Sequence, residues 1–120
     1  MKKTIKGLLI CPDTRTITEI DVNNEDSLKA MYEAIKCDCV DVGRGGLQFL
    51  PSKPQDDVWF DDEAKFSEKE NCFLLPGWVP LIGNGLILGF DDEGNSTDHS
   101  LTPEDVAVLR QTIRWCKRES

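Results

Sequence analysis

The chain has 120 residues, with 14 Lys and Arg against 22 Asp and Glu and a formal charge of -8, so it is expected to fold as a single acidic domain over 1–120, too short for two independent cores. Hydrophobic residues make up 39% and charged residues 30%, which supplies a core and excludes wholesale disorder. Even the strongest apolar stretch, Leu86-Ile87-Leu88, is flanked by glycines, and no membrane span is available.

The opening Met1-Lys2-Lys3-Thr4-Ile5-Lys6-Gly7 is basic, as in an export leader. Its apolar continuation ends after four residues at Pro12 without a small-residue cleavage pattern, so a cytoplasmic location is expected, with the five cysteines reduced. Residues 5–11 are apolar with β-branched character. Residues 16–22 place Thr16, Thr18 and Asp21 among branched apolar residues, the pattern of a half-buried strand, and Pro12 to Arg15 turn one into the other as a β-hairpin.

Asn23-Asn24-Glu25-Asp26-Ser27 marks a helix entry, with either Asn or Ser27 as the cap. Leu28, Met31, Tyr32 and Ile35 then recur at spacings of three and four while Lys29, Glu33 and Lys36 stay wet, which predicts a helix over about 25–36 with Tyr32 sealing the core edge. Residues 37–42 alternate with period two, Cys37, Cys39 and Asp41 on one strand face and Asp38, Val40 and Val42 on the other. Gly43-Arg44-Gly45-Gly46 breaks that element, and residues 47–50 start another strand before Pro51.

Val58-Trp59-Phe60-Asp61 has strand propensity and Asp62-Glu63 turns the chain, predicting a second hairpin around 57–66. Residues 71–84 carry Pro76-Gly77, Pro80 and Gly83-Asn84, which disfavours a regular element and predicts a loop packed through its apolar side chains. Residues 85–90 read as a central strand, and Asp91 to Asn95 as a solvated turn. Thr102 at the N-cap, Pro103 at N1 and Asp105 at N3 start a last helix expected over 103–117, with Val106, Leu109 and Ile113 buried. The fold class that follows is α+β, a small mixed, mainly antiparallel sheet covered by two principal helices.

Acidic residues gather at 56–70 and again at Asp91, Asp92, Glu93, Asp98, Glu104 and Asp105. Such a field opposes a phosphate backbone, so direct nucleic-acid binding is not expected, and it attracts a basic protein. Arg110, Arg114, Lys117 and Arg118 fall in the last turns of the predicted helix, where the helix dipole accounts for them.

No residue pattern specifies a reaction, and no catalytic, cofactor-binding or metal-binding residue is assigned. Cys37-x-Cys39 lacks redox spacing, and Cys11, Cys72, Cys116 and His99 are too irregularly placed for a zinc set. The acids at 91–98 miss calcium-loop spacing, and His99 reads as an exposed preamble to the last helix. Trp59, Phe60, Asp61, Asp62, Glu63 and Trp78 combine large apolar contact area with charge, which makes them the candidate protein interface, in a monomer or a small homo-oligomer. Arg44, Gly45 and Gly46 are the candidate ligand site, because a glycine turn exposes backbone amides to an anion; the ligand expected there is nucleotide-derived.

Leu8-Leu9-Ile10-Cys11-Pro12, Glu19-Ile20-Asp21-Val22, Ser27-Leu28, Val58-Trp59-Phe60-Asp61-Asp62-Glu63-Ala64 and Leu81-Ile82-Gly83-Asn84-Gly85-Leu86-Ile87-Leu88-Gly89, in that order, resemble the family of small proteins catalogued as domain of unknown function 3846, over about residues 5–112. A Gly-Gly turn that usually follows the first helix stands displaced here, at Gly45-Gly46. The resemblance implies a mobile-element accessory protein, of the kind carried by bacteriophages, plasmids and their bacterial hosts. Binding of a basic host protein, with counter-defence as its setting, is the function this implies, and binding or sequestration of a nucleotide-derived small ligand is the alternative.

Overall fold

The computed structural model describes residues 3–118. In chain order its elements are β1 (Thr4–Cys11), β2 (Thr16–Asn23), α1 (Ser27–Ile35), β3 (Val40–Gly43), β4 (Asp57–Asp61), a 3-10 turn (Ala64–Phe66), β5 (Asn71–Leu74), β6 (Leu81–Ile82), β7 (Gly85–Phe90), β8 (Ser96–Thr97), α2 (Pro103–Thr112) and β9 (Arg114–Lys117). The main sheet runs β2-β1-β7-β4-β3, with β8 hairpinned onto β7. A second sheet runs β6-β5-β9. Every described ladder is antiparallel, so the α+β architecture with two principal helices holds.

Strand alternation sends side chains to two separate cores. Leu8 and Ile10 of β1, Ile17 of β2, Val58 of β4 and Ile87 of β7 meet Phe73 and Leu81 of the second sheet, Leu109 of α2, and Leu75 and Ile113, which directly follow β5 and α2. On the opposite face Ile5, Val22, Leu86 and Leu88 meet Met31 and Ile35 of α1. The first hairpin forms as expected, in register from Thr4 opposite Asn23 to Cys11 opposite Thr16. The apolar β7 lies in the middle of the sheet, buried from Gly85 to Gly89.

Several local expectations give way to tertiary pairing. Helix α1 begins at Ser27 and is capped by Asp26, whose carboxylate accepts from Lys29 N at 3.2 Å; Asn23 instead accepts from Glu25 N at 2.9 Å, turning the chain into the helix. The helix stops where Lys36 adopts φ 61° and Lys69 Nζ donates to the Lys36 carbonyl at 2.6 Å. The following strand therefore starts at Val40, not Cys37, and Cys37 packs beside Val40 against the α1 core.

Residues 47–50 form a turn, not a strand, because Leu50 N donates to the Leu47 carbonyl and both side chains are buried at one-turn spacing. Residues 64–66 make a 3-10 turn and not the second arm of a hairpin; β4 pairs with β3 and β7 instead. The expected loop at 71–84 contains β5 and β6. Helix α2 has its capping box, Thr102 Oγ1 accepting from Asp105 N and the Asp105 carboxylate from Thr102 N, but ends at Thr112. Beyond Ile113 the chain extends, and β9 satisfies its backbone along β5.

Candidate functional site

The residues singled out from the sequence do not form one patch. Trp59 and Phe60 are neighbours on β4, so they project to opposite faces: Trp59 packs against the α1 core and Phe60 against the larger core. Asp61 accepts from Lys69 Nζ at 2.7 Å and from Glu63 N at 3.0 Å, which ties its carboxylate into the fold. Asp62 and Glu63 are exposed beside it. Trp78 lies on Phe60's side of the sheet.

Trp78 covers the glycine turn. A Cβ on Gly43 or Gly46 would lie 2.1 or 1.9 Å from its ring, and the indole Nε1 donates to the Gly46 carbonyl at 3.2 Å. Only glycine allows that approach. Gly45 sits at φ 71° with open space beside it. The Arg44 guanidinium turns toward β4 and β7, with Nε 3.8 Å from Asp57 Oδ1 and the guanidinium carbon 5.9 Å from the Phe90 ring centroid.

A cleft of about 540 Å³ lies on the α1 face, within the size range of small-ligand pockets. Helix α1 contributes Leu28 and Met31, β1 contributes Ile5 and β4 contributes Trp59; the β7–β8 turn closes the far side with Asp91 and Asn95, and Asp98 follows. Leu28 is 48% exposed although it continues the apolar stripe of α1. A helix of nine residues is only about 14 Å long, whereas five strands span roughly 20 Å. The helix therefore leaves part of this face uncovered.

The cleft is apolar at its base and negative at its rim. Asp91 holds the turn together: its Oδ1 accepts from Glu93 N and Asn95 N, both at 2.9 Å, and Gly94 takes φ 85°. Hydrogen bonds, first from the Asn95 backbone, keep the Asp91 carboxyl below the ordinary carboxylate range despite partial desolvation. It is thus ionised at neutral pH. Asp98 Oδ1 accepts from Lys6 N at 2.9 Å, fixing the opposite lip to β1. These carboxylates favour a cation and oppose a phosphate.

Catalytic groups do not converge here. His99, expected to be exposed, has a side chain only 9% exposed; Nε2 lies 2.9 Å from Glu19 Oε2 and Nδ1 accepts from Leu101 N at 3.2 Å. Its role is to join β2 to the approach of α2. Burial pushes the Cys37 thiol up to about 11, and Glu63, followed by burial, raises that of Cys39. Both shifts work against a thiolate nucleophile. Among the described residues no group of three or more His, Cys, Asp or Glu is placed to hold a metal ion.

Leu28 lies outside the candidate interface read from the sequence, and Asp91 and Asp98 enter that reading only as part of the general acidic field. The available signal was the stripe of α1 beginning at Leu28, one turn ahead of the first buried residue, Met31. The cleft itself draws on four segments far apart in the chain. The family model described as Domain of unknown function (DUF3846) matches residues 5–114. No curated protein and no solved structure matches the chain, and no described helix is long and apolar enough to cross a membrane.

Proposed function

The chain belongs to the family described as Domain of unknown function (DUF3846), and from that premise we propose that it is a mobile-element accessory protein that binds a basic segment of a host protein in the cleft beside Trp59. The observation that carries this reading is the joining of an apolar base, Ile5, Met31 and Trp59, with a rim that holds the ionised Asp91 and, beside it, Asp98 in one concavity. Aromatic and aliphatic walls reward burial of a side-chain stem, and the carboxylates steer and hold its positive end. The formal charge of -8 extends the attraction beyond the cleft. The resemblance to bacteriophage and plasmid proteins supports a bacterial host protein as the partner and counter-defence as the setting.

A nucleotide-derived ligand at Arg44, Gly45 and Gly46 is the weaker reading. Trp78 already covers the glycines on one side and Arg44 faces Asp57 on the other. The test is capture from a bacterial lysate, followed by titration of the captured protein. A basic partner retained at about 50 mM salt and released by about 500 mM is expected, since rim charges are screened over that range. Leu28→Lys places a cation at the mouth without emptying the core and should weaken the complex roughly tenfold or more, about 1.4 kcal/mol. Full affinity in that variant would move the interface elsewhere; failure to retain any partner at low salt would remove the proposal.

A further inference from the structure

Cys72 and Cys116 stand directly opposite each other in the β5–β9 ladder, on the face away from Phe73 and Trp115, which turn to the larger core. Arg118 N donates to the Glu70 carbonyl at 2.8 Å, two residues before Cys72 and two after Cys116, just outside the ends of β5 and β9. Antiparallel ladders alternate directly bonded with non-bonded pairs, so Cys72 and Cys116 also form a directly bonded pair, with Cα atoms about 5.5 Å apart. That separation falls inside the range a disulfide spans, about 4.4–6.8 Å. Burial, and then the neighbouring Cys116 thiol, raise the Cys72 thiol above its ordinary value, and Cys72 Sγ donates to the Glu70 carbonyl at 3.6 Å.

We propose that Cys72 and Cys116 are an oxidation site, a cross-strand dithiol that low-molecular-weight disulfides convert to an intramolecular disulfide. Cys116 is half-buried and Cys72 is buried, so Cys116 reacts first. Its thiolate attacks one sulfur of oxidised glutathione, forming a mixed disulfide and releasing one glutathione thiolate, which takes up the proton that Cys116 lost. The Cys72 thiolate then attacks the Cys116 sulfur, and the second glutathione leaves as a thiolate that takes the Cys72 proton. Two protein thiols are oxidised and one glutathione disulfide is reduced to two thiols.

The bond would tie the last strand, an edge of the second sheet, to the strand beside it. Arg118 already anchors the same end, its guanidinium donating to the carbonyls of Ala64, Lys65, Ser67 and Lys69. The site is independent of the cleft beside Trp59, and its test does not require a partner protein.

The experiment equilibrates the full chain with graded ratios of reduced and oxidised glutathione and reads intact mass. A variant with Cys11→Ser, Cys37→Ser and Cys39→Ser leaves only the pair. It should lose about 2 Da, whereas a glutathione adduct would add about 305 Da. In the otherwise wild-type chain, Cys72→Ser or Cys116→Ser should abolish the bond between β5 and β9, assigned by peptide mapping. The equilibrium constant for oxidation of the pair-only variant should be at least tenfold higher folded than in urea, because the ladder holds the sulfurs together. An equal or smaller constant in the folded protein, a stable adduct on Cys116, or bonding only between chains would overturn the assignment.

Discussion

On one face of the main sheet, Leu8, Ile10, Val58 and Ile87 are covered by α2 and by a second sheet that brings Phe73 and Leu81 down onto them. On the other face, Leu86, Leu88 and Ile5 have α1 alone, with Trp59 only partly covered beside them. The buried carboxylates divide the same way. Asp56 accepts from Ser100 N at 2.7 Å and from the Ser100 hydroxyl, and Asp105 accepts from Ser52 N, the Ser52 hydroxyl and Thr102 N. Asp57, which shares Trp59's face by strand parity, has one buried oxygen without a hydrogen bond, and the Arg44 guanidinium lies 3.8 Å from it. A layer built from several elements can close its core and satisfy its polar groups, whereas a layer built from one short helix leaves both tasks incomplete. The cleft is what remains.

The contrast is most exposed to truncation of the closed layer. Phe73 is fully buried, and Phe73→Ala should cost about 3–5 kcal/mol through lost burial and the cavity left behind. On the open face, Leu28→Lys should change stability by less than about 0.5 kcal/mol. Urea denaturation of both variants measures the difference, and similar losses would mean that the two layers are equally closed.

Asp105→Ala removes the N3 half of the capping box and leaves the amides of Ser52 and Thr102 without their acceptor, at a cost of about 2 kcal/mol. Burial pushes the Asp105 carboxyl up, but the hydrogen bonds from Ser52 and Thr102 outweigh it and hold the group below its ordinary value of 3.8. A lowered folded value contributes stability that is complete above the unfolded value and lost as pH falls through the folded one. The gap between wild type and variant should therefore narrow below about pH 4. A gap independent of pH would show that the charge on Asp105 contributes nothing.

Asp57 should give the opposite slope, and the smallest effect. Burial raises its carboxyl above 3.8, only partly opposed by Arg44. Ionisation then costs stability as pH rises from the unfolded value through the folded one. Asp57→Asn escapes that loss, so its stability relative to wild type should climb across this window and level off above it. Urea midpoints at closely spaced acidic pH values check the sign; a decline would mean that Arg44 outweighs burial and that the open face satisfies its carboxylate after all.

The first hairpin, the start of α2 and the central position of β7 were legible because each rests on neighbours in sequence. Pro12 to Arg15 turn between two strand patterns, Thr102, Pro103 and Asp105 carry the cap, and β7 is buried from Gly85 to Gly89. The end of α2 was ambiguous. Val106, Leu109 and Ile113 fit a helical stripe, while Ile113 and Trp115 equally fit the period of a strand. The open edge of β5 resolved the choice, forty residues earlier in the chain by rough count. Leu47 and Leu50 posed the same problem at smaller scale, since two buried residues three apart suit a single turn.

Composition, charge and local pattern by themselves determined an acidic α+β fold with a hairpin, two helices and a buried middle strand, because propensity, capping and turn chemistry act over a few residues. The tertiary structure alone decided that Trp59 and Phe60 part to opposite faces, that Trp78 seals the glycine turn, and that Cys72 meets Cys116. It also decided that Leu28 and Trp59 share a cleft with Asp91 and Asp98. Those juxtapositions depend on which strand edges pair and on how far a nine-residue helix reaches across the sheet, and both are settled by contacts between segments that no local pattern encodes.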